Sequence, residues 1–365
     1  MPFKPGRLNI GRFDLILVTA VLFLSAIGLS AIYSVDLSSG SELIYFKKQA
    51  IALVIGLVLM LAAGFTRHTF FRAMAKWWYL ASLFLLALVL LFGQRIRGTT
   101  GWFVLGGFSF QPVELAKVGL ILLLAYIISR FGRRFESPLF FFGTGAVTLL
   151  MMGLVMWQPD LGSAVIIGLI WLGLMMLVGA RKFFLILLMF FCIAGAVFSW
   201  FFVFKDYQRD RIITFIDPER DKLNAGYNVL QSTIAVGSGK IFGRGLGYGS
   251  QSQLRFLPET QTDFIFSVIG EELGLVGVVV LLVLFAVIFW RVLLIVINGS
   301  DDFSSMTAGG IFLLFFSQFV INIGANIGLL PVTGVTLPFV SYGGSSLMIN
   351  LLLVGILESM AGRKR

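Results

Sequence analysis

The residues able to do chemistry are few and clustered. In FLPETQTDFIFSVIGEELG, residues 256–274, the carboxylates Glu259, Asp263, Glu271 and Glu272 stand at the mouth of a long apolar run, in a chain of which only 13% is charged. A carboxylate held at such an edge can take a proton from a hydroxyl, because partial desolvation raises its basicity. Capping explains Asp263 equally well: Thr-Asp before an apolar helix is an ordinary N-terminal pair, and acids favour the positive end of the helix dipole. Glu114 and Lys117, in FQPVELAKVG, stand three apart, so a helix brings both heads to one face. Buried ionisable groups pair with each other or face a wet cavity, which predicts a polar chamber opening outward; a purely structural ion pair is the alternative. Asp160, in WQPDLGSA, suits either a helix cap or a site residue. The only histidine, His68, falls in a turn on the other side, so no histidine metal site or serine–histidine dyad forms beside these carboxylates. Carboxylates, lysine and arginine must do the work.

The elements that position them are membrane helices. Hydrophobic residues make up 58% of 365, and apolar runs of about 18 or more residues, the length that spans a bilayer, recur from end to end. Hydrocarbon offers no partner to a free backbone group, so each run is expected to be a helix, giving an all-α polytopic membrane protein with a single membrane domain over 1–365. Punctuation of the runs gives ten spans, roughly 14–34, 49–65, 77–93, 113–129, 138–156, 161–178, 183–204, 264–290, 306–329 and 343–360. The first lacks a small-x-small cleavage pattern and reads as a retained helix rather than a signal peptide. Fifteen Lys and Arg fall at the two termini and the turns on their side, against four (Lys47, Lys48, Arg95, Arg97) in the opposite short loops. That bias places both termini in the cytoplasm and the loop 205–262, between the seventh and eighth spans, outside. Most of the net charge of +10 belongs to the cytoplasmic turns, so a nucleic-acid surface is a poor explanation of it.

At 1.5 Å per residue, counting outward from Arg291 puts Glu271 and Glu272 near the outer lip and Asp263 two turns beyond. The glycines of VGSGKIFGRGLGYGSQSQ suggest a phosphate loop, but Ile234 stands where its first glycine belongs and Lys240 precedes isoleucine, which leaves a flexible, turn-rich loop. PVTGVTLPFVSYGGSS, 331–346, mixes prolines and glycines between spans. It is expected to be irregular backbone lining a cavity, presenting amides and hydroxyls such as those of Ser341 and Ser345 to a polar headgroup, or else a plain connection. The lone Cys192 lies in an apolar segment and forms no intrachain disulfide.

FQPVELAK, WQPDLGSA, DYQRDR with DPERDKLNAGYNVLQSTIAVGSGKIFGRGLG, FLPETQTDFIFSVIGEELG and NIGANIGLLPVTGVTLPFVSYGGSS run through most of the chain. Together they resemble the SEDS family (shape, elongation, division and sporulation), whose members include RodA, FtsW and SpoVE. The resemblance implies a ten-helix enzyme of the bacterial cytoplasmic membrane that polymerises lipid II into glycan strands on the outer face, usually with a class B penicillin-binding protein as partner. It implies that Asp263 is the essential acid and that Glu114 and Lys117 are the charged pair beside the cavity. Val113 stands where the family commonly has serine in Q-P-S-E, and Gly101 where arginine commonly precedes the loop tryptophan; Arg95 or Arg97 is the nearest substitute.

On that resemblance, Asp263 takes the proton of an attacking GlcNAc 4-hydroxyl, while Lys117, Arg209, Arg211 and Arg244, or a divalent cation (Mg or Mn), stabilise the departing pyrophosphate. Glu114 then orients Lys117. The short termini and DYQRDR…STIAVGSG lean toward a RodA-like role in elongation rather than FtsW-like division. A lipid II flippase needs polar residues at middle depth on several helices, and a scaffold needs only a partner-binding face; the polar residues gather near the outer ends, which favours the enzyme.

Overall fold

Backbone amides left in hydrocarbon have nowhere to bond, and the chain meets that demand with helices. The computed structural model describes residues 13–38, 42–96, 98–105, 108–131, 135–202, 225–254, 256 and 259–361. Seven helices come first: α1 (Leu15–Ser38), α2 (Ile44–Phe65), α3 (His68–Phe92), α4 (Pro112–Phe131), α5 (Pro138–Trp157), α6 (Leu161–Val178) and α7 (Lys182–Phe202). They are followed by α8 (Ala225–Ser238), the short α9 (Ser250–Gln253), α10 (Ile265–Asn298), α11 (Asp302–Asn326) and α12 (Gly344–Met360). Eight of the described helices, α1 to α6, α10 and α11, are long and apolar enough to cross a membrane, and α12 is a shorter apolar helix of 17 residues.

The most enclosed of them is α4, packed among α3, α11, α12, α5 and α6. Small residues let helix backbones meet where α12 lies along α2: a Cβ on Gly355 would stand 2.2 Å from Met60 O, and one on Gly56 would stand 2.5 Å from Leu351 Cδ1. At one end of the bundle the Asp14 amide donates to Glu358 Oε2 at 2.9 Å, Arg291 pairs with Asp14, and Arg72 pairs with Asp301 at 3.2 Å. The start of α1 and the end of α12 therefore share one end of the bundle. By the charge bias that end is cytoplasmic, and the opposite one is called the outer end below.

Four features depart from expectation, the first being α3, which begins at His68 rather than near residue 77 and so puts that histidine on a helix instead of in a turn. Between α3 and α4 the chain forms a three-stranded antiparallel sheet, β1 (Gln94–Ile96), β2 (Thr99–Leu105) and β3 (Phe108–Phe110), in an otherwise helical protein. Within 205–262, α8 and α9 are helical. And α10 runs to Asn298, past Arg291, because the Asp14 carboxylate supplies the partner that lets this arginine sit within a helix.

The long α10 is broken at Gly274 (φ 65°, ψ −163°). The segment 240–245 repairs the break: the amides of Leu275 and Val276 donate to Lys240 O and Ile241 O at 2.9 and 3.0 Å, and the amides of Arg244 and Gly245 donate to Glu271 O and Glu272 O at 3.0 Å each. Glycine is required for so close an approach. A Cβ would lie 1.9 Å from Gly270 O at Gly239, 2.1 Å from Glu272 O at Gly243 and 2.2 Å from Gly243 N at Gly274. The glycine-rich stretch is thus not a free loop but a backbone splint on a membrane helix.

Candidate active site

The outer end is organised by the segment 331–343. Asp263 lies in the turn before α10, whose N-cap position falls on Phe264 with no side-chain cap, so Asp263 is not the cap that Thr-Asp suggested. Its backbone is held at both polar groups. The amide donates to Glu259 O at 3.2 Å, and the carbonyl accepts from Asn326 Nδ2 at 2.8 Å and Asn322 Nδ2 at 3.1 Å. Its carboxylate lies against Gly334, where a Cβ would stand 4.0 Å from Oδ2, in a small cleft also lined by Asn322, Ala325 and Val332 to Val335. Gly334 takes φ +75°, a left-handed conformation that suits glycine and leaves that wall without a side chain.

Ser341 and Ser345, expected to offer free hydroxyls, are internal braces. Ser341 Oγ donates to Thr262 O at 2.7 Å and accepts from Leu337 N at 2.8 Å, while the Tyr342 amide donates to Gln261 O at 2.8 Å. Ser345 Oγ donates to Ser109 O of β3 at 2.8 Å and accepts from Gln111 N at 3.2 Å. Buried hydroxyls without partners are costly, and irregular backbone supplies the partners here. The segment as a whole meets the other expectation, irregular backbone beside a cleft.

Asp160 caps α6, accepting from Ser163 N at 2.9 Å and Ser163 Oγ at 2.8 Å, and it also accepts from Gln111 Nε2 at 3.3 Å. One residue into α6, a Cβ on Gly162 would be 2.6 Å from Thr333 O. Thr333 and Gly334 therefore stand between the Asp160 cap and the Asp263 carboxylate, which puts both acids around one segment.

Glu114 and Lys117 form the expected pair, Nζ to Oε1 2.8 Å, but on the enclosed helix α4 they are only 6% and 1% exposed. They are not exposed to an outward-opening chamber but enclosed in the helix bundle. Removing one partner of a buried pair strands the other charge. Lys117→Met is expected to destabilise the protein by about 3–5 kcal/mol, most of it recovered when Glu114→Leu is added, as read by denaturant titration in detergent.

Glu271 and Glu272, both buried, face α9 rather than the cleft. Glu271 accepts from Gln251 N at 2.8 Å, Ser252 N at 3.0 Å and Ser250 Oγ at 3.3 Å. Glu272 Oε1 accepts from Ser34 Oγ at 2.6 Å and Gln253 Nε2 at 3.1 Å. Glu271 answers the helix-start amides of α9, and Glu272 ties α9 to α1 through side chains. Glu271→Gln turns one acceptor oxygen into a donor facing amides, and is expected to lower stability by about 1–3 kcal/mol in the same titration. Arg244 is exposed and donates to Ser250 Oγ at 2.6 Å. Arg209 and Arg211 lie outside the described residues, as does Arg97.

Sequence reasoning missed Asn322, Asn326, Gln111, Ser232 and Ser267 as organisers of this end. Two asparagines four apart in an apolar helix were the available signal, since buried amides require partners.

An apolar helix bundle with a carboxylate held beside an irregular segment at one end defines a multi-pass membrane protein with a polar site near the bilayer edge. The family model of the FtsW, RodA and SpoVE cell cycle proteins matches residues 12–365, and the chain belongs to this family, whose members lie in the bacterial cytoplasmic membrane. Peptidoglycan glycosyltransferase MrdB of Escherichia coli K12 is 38% identical over 349 residues, covering 95% of this chain and 92% of that protein. Among solved structures, a chain of a peptidoglycan synthase complex, described as coordinating polymerization and crosslinking, superposes with a TM-score of 0.80 at 32% identity, over 95% of this chain and 96% of that one. The crystal structure of the rod shape determining protein RodA of Thermus thermophilus gives 0.72 at 30%, over 97% and 98%.

Proposed function

We propose that the chain is a peptidoglycan glycosyltransferase that polymerises lipid II on the outer face of the cytoplasmic membrane, with Asp263 as its general base. The observation that carries the assignment of the base is the Asp263 carboxylate facing the side-chain-free wall at Gly334, at the bundle end that the charge bias places outside. Membership of the family and the likeness to a glycosyltransferase and a synthase complex support the reaction class.

In this reaction a GlcNAc 4-hydroxyl attacks the anomeric carbon of a MurNAc whose bond to the isoprenyl pyrophosphate breaks. The hydroxyl proton passes to the Asp263 carboxylate, and the electron pair of the broken bond leaves on the pyrophosphate. One displacement without a covalent enzyme intermediate inverts the anomeric centre. Cations fixed nearby stabilise the leaving charge. Lys117, which is paired with Glu114, and Arg244 are the described candidates, with Arg209 and Arg211 between them in sequence. A divalent cation is the other carrier of positive charge. Among the described residues no three His, Cys, Asp or Glu are grouped to hold one, and no step is routed through it.

The partner that fits this activity is a class B penicillin-binding protein, which crosslinks the strands made here, and the role that fits the sequence is RodA-like elongation. The test is purified protein in liposomes with labelled lipid II, with and without that partner. Strand growth is expected; movement of lipid II between leaflets without growth identifies a flippase, and neither identifies a scaffold.

A further inference from the structure

Two side-chain amides from one helix converge on the Asp263 carbonyl, Asn326 at 2.8 Å and Asn322 at 3.1 Å, one turn apart on α11. They use both of its lone pairs. Asn326 is itself fully engaged. Its Oδ1 accepts from Ser267 N at 3.2 Å and Ser267 Oγ at 2.7 Å, and its Nδ2 donates a second bond to Asn322 O at 2.8 Å. The partners dictate the orientation, since a backbone amide only donates and a carbonyl only accepts, so a flipped side chain would set like against like. Behind Asn326, the Ser232 hydroxyl of α8 lies 2.8 Å from its carbonyl and 2.6 Å from Ser267 Oγ, and donates its one proton to one of the two. All four side chains are buried.

Asn322 reaches further. Its Nδ2 also donates to Val335 O at 2.8 Å, one residue past the glycine that the Asp263 carboxylate faces. One amide thus holds both the peptide that carries the carboxylate and the wall opposite it. A brace meant only to start α10 has no need to grip that wall. The carboxylate is two bonds from its own Cα, so a modest rotation of the peptide moves it by about 1 Å, and such a misplacement lowers a rate by about 100-fold.

We propose that Asn322 and Asn326 are positioning residues that set the width of the cleft and the direction of the Asp263 carboxylate across it; this rests on the reading of Asp263 as the base. Asn326→Asp keeps the size but turns a carboxylate oxygen toward the carbonyls of Asp263 and Asn322. It is expected to lower kcat for lipid II polymerisation by about 100-fold with KM changed less than about 2-fold. Asn322→Ala leaves the bonds of Asn326 to Asp263 and Ser267 in place and is expected to lower kcat by about 10-fold, so it carries the test if Asn326→Asp does not fold. A merely structural role lowers the amount of folded protein and leaves turnover per folded molecule unchanged. In an Asp263→Asn background, adding Asn322→Ala should leave the residual rate as it is, because the group it positions is gone. Wild-type turnover per folded molecule in both single variants, or a loss that multiplies with that of Asp263→Asn, overturns the proposal. Failure of the base reading looks different: Asp263→Asn itself stays active.

Discussion

Replacing Asp263 by asparagine is expected to reduce glycan-strand formation by about 10³-fold or more and to leave the fold unchanged. The amide is the same size as the carboxylate but has no basicity, and a positioned general base contributes roughly 10²–10⁴-fold to a rate. Asparagine keeps the bonds that the backbone amide and carbonyl of residue 263 make. Strand formation per folded molecule, measured on labelled lipid II beside a thermal unfolding curve in detergent, separates lost chemistry from lost structure. A variant that works within tenfold of wild type removes Asp263 from the proton transfer.

The second large effect is on folding. Gly243→Ala is expected to destabilise the protein by about 3–5 kcal/mol, enough to deplete the folded form. Alanine at φ +77° costs about 1–2 kcal/mol, and its Cβ would stand 2.1 Å from the carbonyl of Glu272, so the amide bonds at 3.0 Å to Glu271 O and Glu272 O cannot both persist. Those bonds give donors to the carbonyls of the interrupted turn of α10. Gly237→Ala is the control. Nothing stands within 4 Å of its added methyl, and in α8 it is expected to be neutral or to stabilise by up to about 1 kcal/mol. Recovery of monodisperse protein and the midpoint of unfolding in detergent decide the matter; equal values for the two variants contradict the splint.

Which parts of this could be read from the sequence follows from how local their causes are. The spanning helices were legible because hydrocarbon imposes length and composition on each segment separately. The Asp160 cap was legible for a similar reason, its partner Ser163 being three residues away. By contrast, Glu271 and Glu272 find their partners about twenty residues back in the chain or, through Ser34, on α1. No periodicity reveals that. The glycines of 239–249 read as flexibility because a turn and a close backbone approach leave the same trace in sequence, and only the position of α10 tells them apart. The sheet at 94–110 escaped notice because its strands of three and seven residues are too short for alternation to stand out. Ser341 and Ser345 were recognised as polar groups at the correct end, but their use in bracing depends on contacts to Thr262 and Ser109, far away in the chain. The burial of Lys117 likewise depends on which helices cover α4, a property of the assembled bundle.

The most direct test of the central claim is the anomeric configuration of strands made by the purified protein from lipid II of known configuration, read by NMR after release from the lipid. Direct displacement, with Asp263 taking the hydroxyl proton, predicts inversion at every new linkage. Retained configuration would require a covalent sugar–enzyme intermediate and would contradict the direct displacement in which Asp263 serves as base.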